Sequence, residues 1–105
     1  MPPDQNRNRP GIEIRIRDGR LTVRGDCDLS NAPQIEACLA SFGGTALQVD
    51  LSGVTFFDSA ALLVFLRAVR RNSHLRVVEP SASVQRILEL TDTVDYLVNG
   101  RDIFD

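Results

Sequence analysis

Four carboxylates, two thiols, one imidazole and one serine beside an aspartate are the groups in this chain that could do chemistry. They are Asp26, Asp28, Asp50 and Asp58, then Cys27 and Cys38, His74, and Ser59 directly after Asp58. The carboxylates fall near expected strand ends, where a sheet could gather them at one rim for metal or acid–base work. Solvation and helix capping use the same residue type equally well. The cysteines lie 11 positions apart, without the Cys-x-x-Cys spacing of exchange chemistry. Both fall on apolar stripes, which predicts free, buried, inert thiols. His74 follows Asn72-Ser73 between a helix and a strand and reads as an exposed turn residue. Two cysteines and one histidine are too few and too scattered for a zinc site. Ser59 has no adjacent His or Lys to activate it. Gly43-Gly44 lacks the following Lys-Ser/Thr of a phosphate-cradling loop. No catalytic residue, metal or cofactor is expected, so the chain should work by binding.

The bulk properties agree with a binding module of modest size. A chain of 105 residues has room for one domain and one core, and 43% hydrophobic residues suffice to build it. Net charge is -2, but it is unevenly spread. Residues 1–24 hold six Arg against Asp4, Glu13 and Asp18, while residues 79–105 hold two Arg against six carboxylates. Neither end has the dense basic block of a nucleic-acid binder, so no direct nucleic-acid contact is expected. Residues 1–10 read as a flexible tail without the apolar region of a signal peptide. No run of about 18 apolar residues is present to insert in a membrane. With two cysteines and no disulfide framework, the reading is a cytoplasmic protein.

The elements that must position these groups are legible from periodicity. Ile12, Ile14 and Ile16 alternate with Glu13, Arg15 and Arg17, the period-two pattern of a half-buried strand. Asp18-Gly19 is a two-residue hairpin turn, since both positions need positive φ. Leu21, Val23 and Cys27 continue the inward face of the returning strand, and arginines face outward on both. Ser30 or Asn31 can cap a helix whose first turn accepts Pro33. Its stripe is Ile35, Cys38, Leu39 and Phe42, and Gly43-Gly44 stops it. Ala46 to Leu51 predicts a central strand, followed by a short loop carrying Phe56 and Phe57. Asp58 caps a second helix with Ser59 at its first position, Leu62, Phe65, Leu66 and Val69 on one apolar stripe, and extra apolar coverage from Ala61, Val64 and Ala68. Leu75 to Val78 is a strand stopped by Pro80, and a third helix turns Val84, Ile87 and Leu88 inward. Tyr96-Leu97 and Ile103-Phe104 read as apolar anchors near the end. The order β-β-α-β-α-β-α predicts an α/β domain over 11–105. Its sheet is mixed and mostly parallel, with an N-terminal antiparallel hairpin, right-handed crossovers and helices mainly on one face.

One stretch goes further. Asp50-Leu51-Ser52-Gly53-Val54-Thr55-Phe56-Phe57-Asp58-Ser59 resembles the signature strand–loop–helix of the STAS domain family, and within it the bacterial anti-sigma factor antagonists. Gly25-Asp26-Cys27-Asp28-Leu29 is similar to the family's Gly-Glu-x-Asp-Leu stretch, and Val84-Gln85-Arg86-Ile87-Leu88-Glu89-Leu90-Thr91 to its third helix. The resemblance implies a STAS-like fold and a phosphorylation site at Ser59. It implies an anti-sigma factor with serine kinase activity as partner, and a phosphatase acting on phosphorylated Ser59. Asp26, Asp28, Asp58, Ser59, Ala60 and Ala61 would form the docking surface. Two departures stand out: Ala60-Ala61 replaces the family's Ser-Gly, and Asp92 replaces its Gly after the third-helix Thr. The alternative is a constitutive STAS subunit of a transport or signalling complex without a phosphoswitch.

Overall fold

Alternation of isoleucine with charge fixes the first strand, and the turn after it fixes the register. The computed structural model describes residues 11–100. In it, β1 (Ile12–Arg17) and β2 (Arg20–Cys27) pair antiparallel, with Ile14 opposite Val23 and Ile16 opposite Leu21. Asp18 at φ 50 and Gly19 at φ 78 make the turn with both residues left-handed, as the Asp-Gly pair predicts. α1 (Ala32–Ala40) leads to β3 (Leu47–Phe57), and α2 (Ser59–Arg71) leads to β4 (Leu75–Val78). α3 (Ala82–Leu90) and the short α4 (Val94–Leu97) complete the described chain. β3 pairs in parallel with β2 and β4, giving the order β1-β2-β3-β4. This is the mixed α/β sheet the sequence predicts.

The core lies between one sheet face and the helices. Leu21, Val23, Val49, Leu51 and Val77 point there and are at most 1% exposed. Ile35 and Leu39 of α1, Phe65 of α2, and Val84 and Leu88 of α3 close over them. Phe65 is fully buried, with its ring centroid 5.8 Å from that of Phe57. Burying a side chain of this size contributes roughly 1.5–3 kcal/mol. The opposite sheet face carries Arg15, Thr22, Arg24, Gln48 and Ser52, all exposed or half-exposed. Leu97 of α4 is buried, so the expected anchor at Tyr96-Leu97 holds through its leucine. Asp92 at φ 63 keeps a left-handed backbone after α3, a conformation that Asp tolerates better than most residues.

Several sequence expectations need correction. The central strand does not stop at Leu51 but runs to Phe57, so Phe56 and Phe57 belong to β3 and not to a loop. Parallel pairing with β2 continues, with Asp26 opposite Phe56 and Cys27 opposite Phe57 after two register shifts. β3 carries the extra residue at each shift, so it stays paired past Gly53 by bulging against a regular β2. On α2 the inward set is Ala61, Leu62, Val64, Phe65 and Ala68, while Leu66 and Val69 are only partly buried. The small alanines let the helix approach the sheet along a neighbouring line. Ile87 is likewise only partly buried. Cys38 is half-buried, not buried, because α1 ends at Ala40 and Phe42 beyond it is only partly covered. The tail over 1–10 and the anchor at Ile103-Phe104 lie outside the described residues.

Candidate partner-binding site

The loop leaving β2 is held by side chains that replace backbone partners. Asp28 Oδ1 accepts from the Ser30 hydroxyl at 2.6 Å, the Ser30 N–H at 3.0 Å and the Asn31 N–H at 3.3 Å. The Ser30 hydroxyl, above all, holds the Asp28 carboxyl below the usual carboxylate range. Asn31 occupies the N-cap position of α1 without a side-chain cap hydrogen bond. Instead its Oδ1 accepts from the Asp28 N–H at 2.9 Å, and its Nδ2 donates to the Asp26 carbonyl at 2.6 Å. Such local side-chain bonds favour turns over helix. The loop therefore has one shape.

The start of α2 is tied to that loop. Asp58 is extended (φ -111, ψ -176), and its Oδ1 accepts from the Ala61 N–H at 3.0 Å. Its Oδ2 accepts from the Leu29 N–H at 3.2 Å, and its own N–H donates to the Cys27 carbonyl at 3.2 Å. Asp26 accepts the Thr55 hydroxyl at 2.8 Å. Below them lies Cys27, fully buried. Burial first, and then the charges of Asp28, Asp26 and Asp58, push its thiol up to about 12. Asp26 and Asp28 flank Cys27, and Asp58 is bonded to the Cys27 carbonyl and the Leu29 N–H, so the three carboxylates share one acidic rim. The fourth candidate, Asp50, is elsewhere. It lies on the uncovered sheet face, 2.8 Å from Arg20. Burial works to raise its carboxyl, but hydrogen bonds from Ser52 and Arg20 outweigh this and hold it below the usual range.

Ser59 is the first residue of α2 and is exposed. Among the described residues its hydroxyl has no hydrogen-bond partner. Ala60 is half-buried beside it. Ala61 is fully buried and contributes only the N–H that caps onto Asp58; its side chain cannot reach a partner. The sequence reading overlooked an apolar groove of ≈ 460 Å³ lined by Leu29, Leu63 and Leu66 together with Asp58, Ser59 and Ala60. Leu29 is 74% exposed and Leu63 49% exposed. The available signal was their position, since both leucines lie off the inward stripes. His74 is exposed, as expected. Among the described residues no group of three His, Cys, Asp or Glu could hold a metal ion. No described helix is long and apolar enough to cross a membrane. An exposed hydroxyl, acidic rim and apolar groove form a surface suited to binding.

Comparison with known proteins places this geometry. Residues 11–99 match the family described as "Mlab, STAS domain". The anti-sigma-B factor antagonist of Listeria monocytogenes is 31% identical over 96 residues, covering 82% of this chain and 84% of that protein. The Listeria innocua antagonist gives the same figures. Among solved structures, an anti-sigma factor antagonist from Mycobacterium paratuberculosis superposes with TM-score 0.70 at 22% identity, covering 83% of this chain and 81% of its own. SpoIIAA in its unphosphorylated form superposes with TM-score 0.64 at 15% identity, covering 84% and 86%. The structures support the fold, while the family match and the Listeria sequences carry the kinship. The chain belongs to the STAS domain, anti-sigma factor antagonist family, whose members are regulatory and not catalytic.

Proposed function

We propose that this protein is an anti-sigma factor antagonist that binds an anti-sigma factor with serine kinase activity and so frees a sigma factor. Its docking surface is the acidic rim of Asp26, Asp28 and Asp58 with Ser59, Ala60 and the adjoining groove. Phosphorylation of Ser59 ends binding, and a phosphatase acting on phosphorylated Ser59 restores it. The observation that carries this reading is the unpartnered, exposed hydroxyl of Ser59 at the first position of α2. A kinase can reach such a group without unfolding anything. Phosphate adds about -1.5 to -2 charge directly beside Asp58 and at the mouth of the apolar groove. The positive end of α2 softens that charge, but a hydrated dianion still displaces any apolar side chain seated against Leu29 and Leu63. Binding is lost locally, with the fold unchanged.

A second reading is a constitutive subunit of a transport or signalling complex. It is favoured by the matched family description, which names Mlab and not an antagonist, and by Ala60-Ala61 after Ser59. One experiment separates the two. The purified chain is incubated with the anti-sigma kinase of its own organism and ATP, and phosphate is located by mass spectrometry. Stoichiometric phosphate on Ser59 with loss of the complex supports the switch. No incorporation, or incorporation elsewhere, overturns it in favour of the constitutive subunit.

A further inference from the structure

The uncovered face of the sheet has a charge opposite to that of the molecule. The register places Arg17, Arg20, Gln48 and Arg76 in one row across all four strands. With strands about 4.8 Å apart, that row spans about 14 Å. Arg15 and Arg24 stand in the adjoining rows, opposite Thr22 and Glu13 respectively. Among the described residues only Glu13 and Asp50 bring a carboxylate to these five arginines, bonded to Arg15 and Arg20 at 2.8 Å each, while Arg76 donates to the Ser73 and Leu75 carbonyls. Among the described residues Arg17 and Arg24 have no carboxylate partner within salt-bridge distance. Arg17 lies directly opposite Arg20, a like-charge pairing that weakens a sheet. Arg24 is laid across β3, because Gly53 has no side chain to block it. A Cβ there would stand 2.8 Å from Arg24 Cγ. Stability alone does not account for the pairing of Arg17 with Arg20.

From this we infer that the uncovered sheet face is a second docking surface, separate from the Ser59 rim, and that it takes an acidic segment of a partner protein. Guanidinium groups match carboxylates as forks, and Thr22, Gln48 and Ser52 between them offer further hydrogen-bonding groups. Two other polyanions fit less well. Among the described residues the face has one exposed aromatic, Phe56 opposite Asp26 at the far end of β3 from the arginine row, where single-stranded nucleic acid stacks successive bases on several. Beside the row only the half-buried Val78 is offered to lipid. The whole chain is also net negative, at -2. A long polyanion or a charged membrane feels that total, while a short acidic segment feels mainly the local positive field within a Debye length of about 8 Å. The surface is independent of Ser59, so this inference stands or falls separately from the phosphoswitch.

The test is fluorescence anisotropy with a labelled hexaglutamate peptide and the full chain at low salt. Arg17→Glu should weaken binding about fivefold or more, and Arg24→Gln should weaken it to a lesser extent. Arg86→Glu on α3 makes the same change in net charge as Arg17→Glu away from the face and should leave binding within about twofold. Arg17→Glu replaces a repulsive cross-strand pair by an attractive one, so an unchanged or raised melting temperature shows that folding is not the cause. Absence of hexaglutamate binding overturns the proposal. So does an equal loss in Arg17→Glu and Arg86→Glu. Arg17-dependent capture of phosphatidylserine vesicles or a single-stranded RNA that hexaglutamate does not displace overturns the choice of an acidic protein partner.

Discussion

The carboxylate of Asp58 accepts the backbone N–H of Leu29 at 3.2 Å, across 29 residues of sequence. The other oxygen of the same carboxylate caps α2 through Ala61. One side chain thus ties the helix that presents Ser59 to the loop that presents Asp28. Removing it loosens both.

Asp58→Ala is therefore expected to cost more than an isolated cap. Loss of the Ala61 bond alone costs about 0.5–2 kcal/mol, and the Leu29 N–H loses its carboxylate partner in addition. Urea unfolding should show a lower midpoint with an unchanged slope. Asp58→Asn keeps a side-chain acceptor and should recover much of the loss. If Asp58→Ala unfolds at the wild-type midpoint, the carboxylate is not the clasp described.

A glycine beside the rim gives a sharper structural test. Gly25 has φ 102, and a Cβ there would run into the Gly11 carbonyl oxygen. Asp26, the next residue, donates its N–H to that same carbonyl at 3.2 Å. Gly25→Ala should destabilise the fold by about 1–3 kcal/mol and shift Asp26. A melting temperature equal to that of the wild type would contradict this crowding.

Much of this was legible in the sequence, for definite reasons. Alternating isoleucines and Asp18-Gly19 specify the hairpin locally, since strand period and turn geometry are properties of a few adjacent residues. Asp58 followed by a 13-residue apolar-striped helix is equally local. The extension of β3 through Phe56 and Phe57 was not, because it rests on bulged pairing with Asp26 and Cys27, about 30 residues away. The tie from Asp58 to Leu29 is likewise tertiary. Leu29 and Leu63 look like ordinary apolar residues until burial shows that neither joins the core.

Cys27 links the rim to alkaline stability. Its thiol is raised from an ordinary 9.0 to about 12, so the folded protein keeps a proton that the unfolded chain releases. The resulting stabilisation is complete below pH 9.0 and is lost as pH rises towards about 12. Between these values wild type should lose stability with pH more steeply than Cys27→Ala, which lacks the group. In the native protein the half-buried Cys38 should react with a maleimide before Cys27 does. Equal reactivity of the two thiols, or parallel pH profiles for wild type and Cys27→Ala, would contradict the burial.

Ser59 provides the functional test. Its hydroxyl makes no hydrogen bond among the described residues, and Asp58 supplies the cap in its absence. Ser59→Ala should therefore unfold within about 0.5 kcal/mol of wild type, as surface substitutions away from caps and core do. It should bind the anti-sigma kinase as wild type does while accepting no phosphate, giving a permanently active antagonist. Ser59→Asp adds one charge beside Asp58 and should weaken binding only partly, since phosphate carries about -1.5 to -2. The phosphorylated wild type should bind weakest of the three. Because the charge lands at the mouth of the Leu29–Leu63 groove, Leu63→Ala should weaken binding of the unmodified protein as well. Affinities measured by titration calorimetry should rank wild type and Ser59→Ala together, then Ser59→Asp, then the phosphorylated protein. Equal affinity for the unmodified and authentically phosphorylated forms would defeat the switch while leaving the fold and the acidic rim intact.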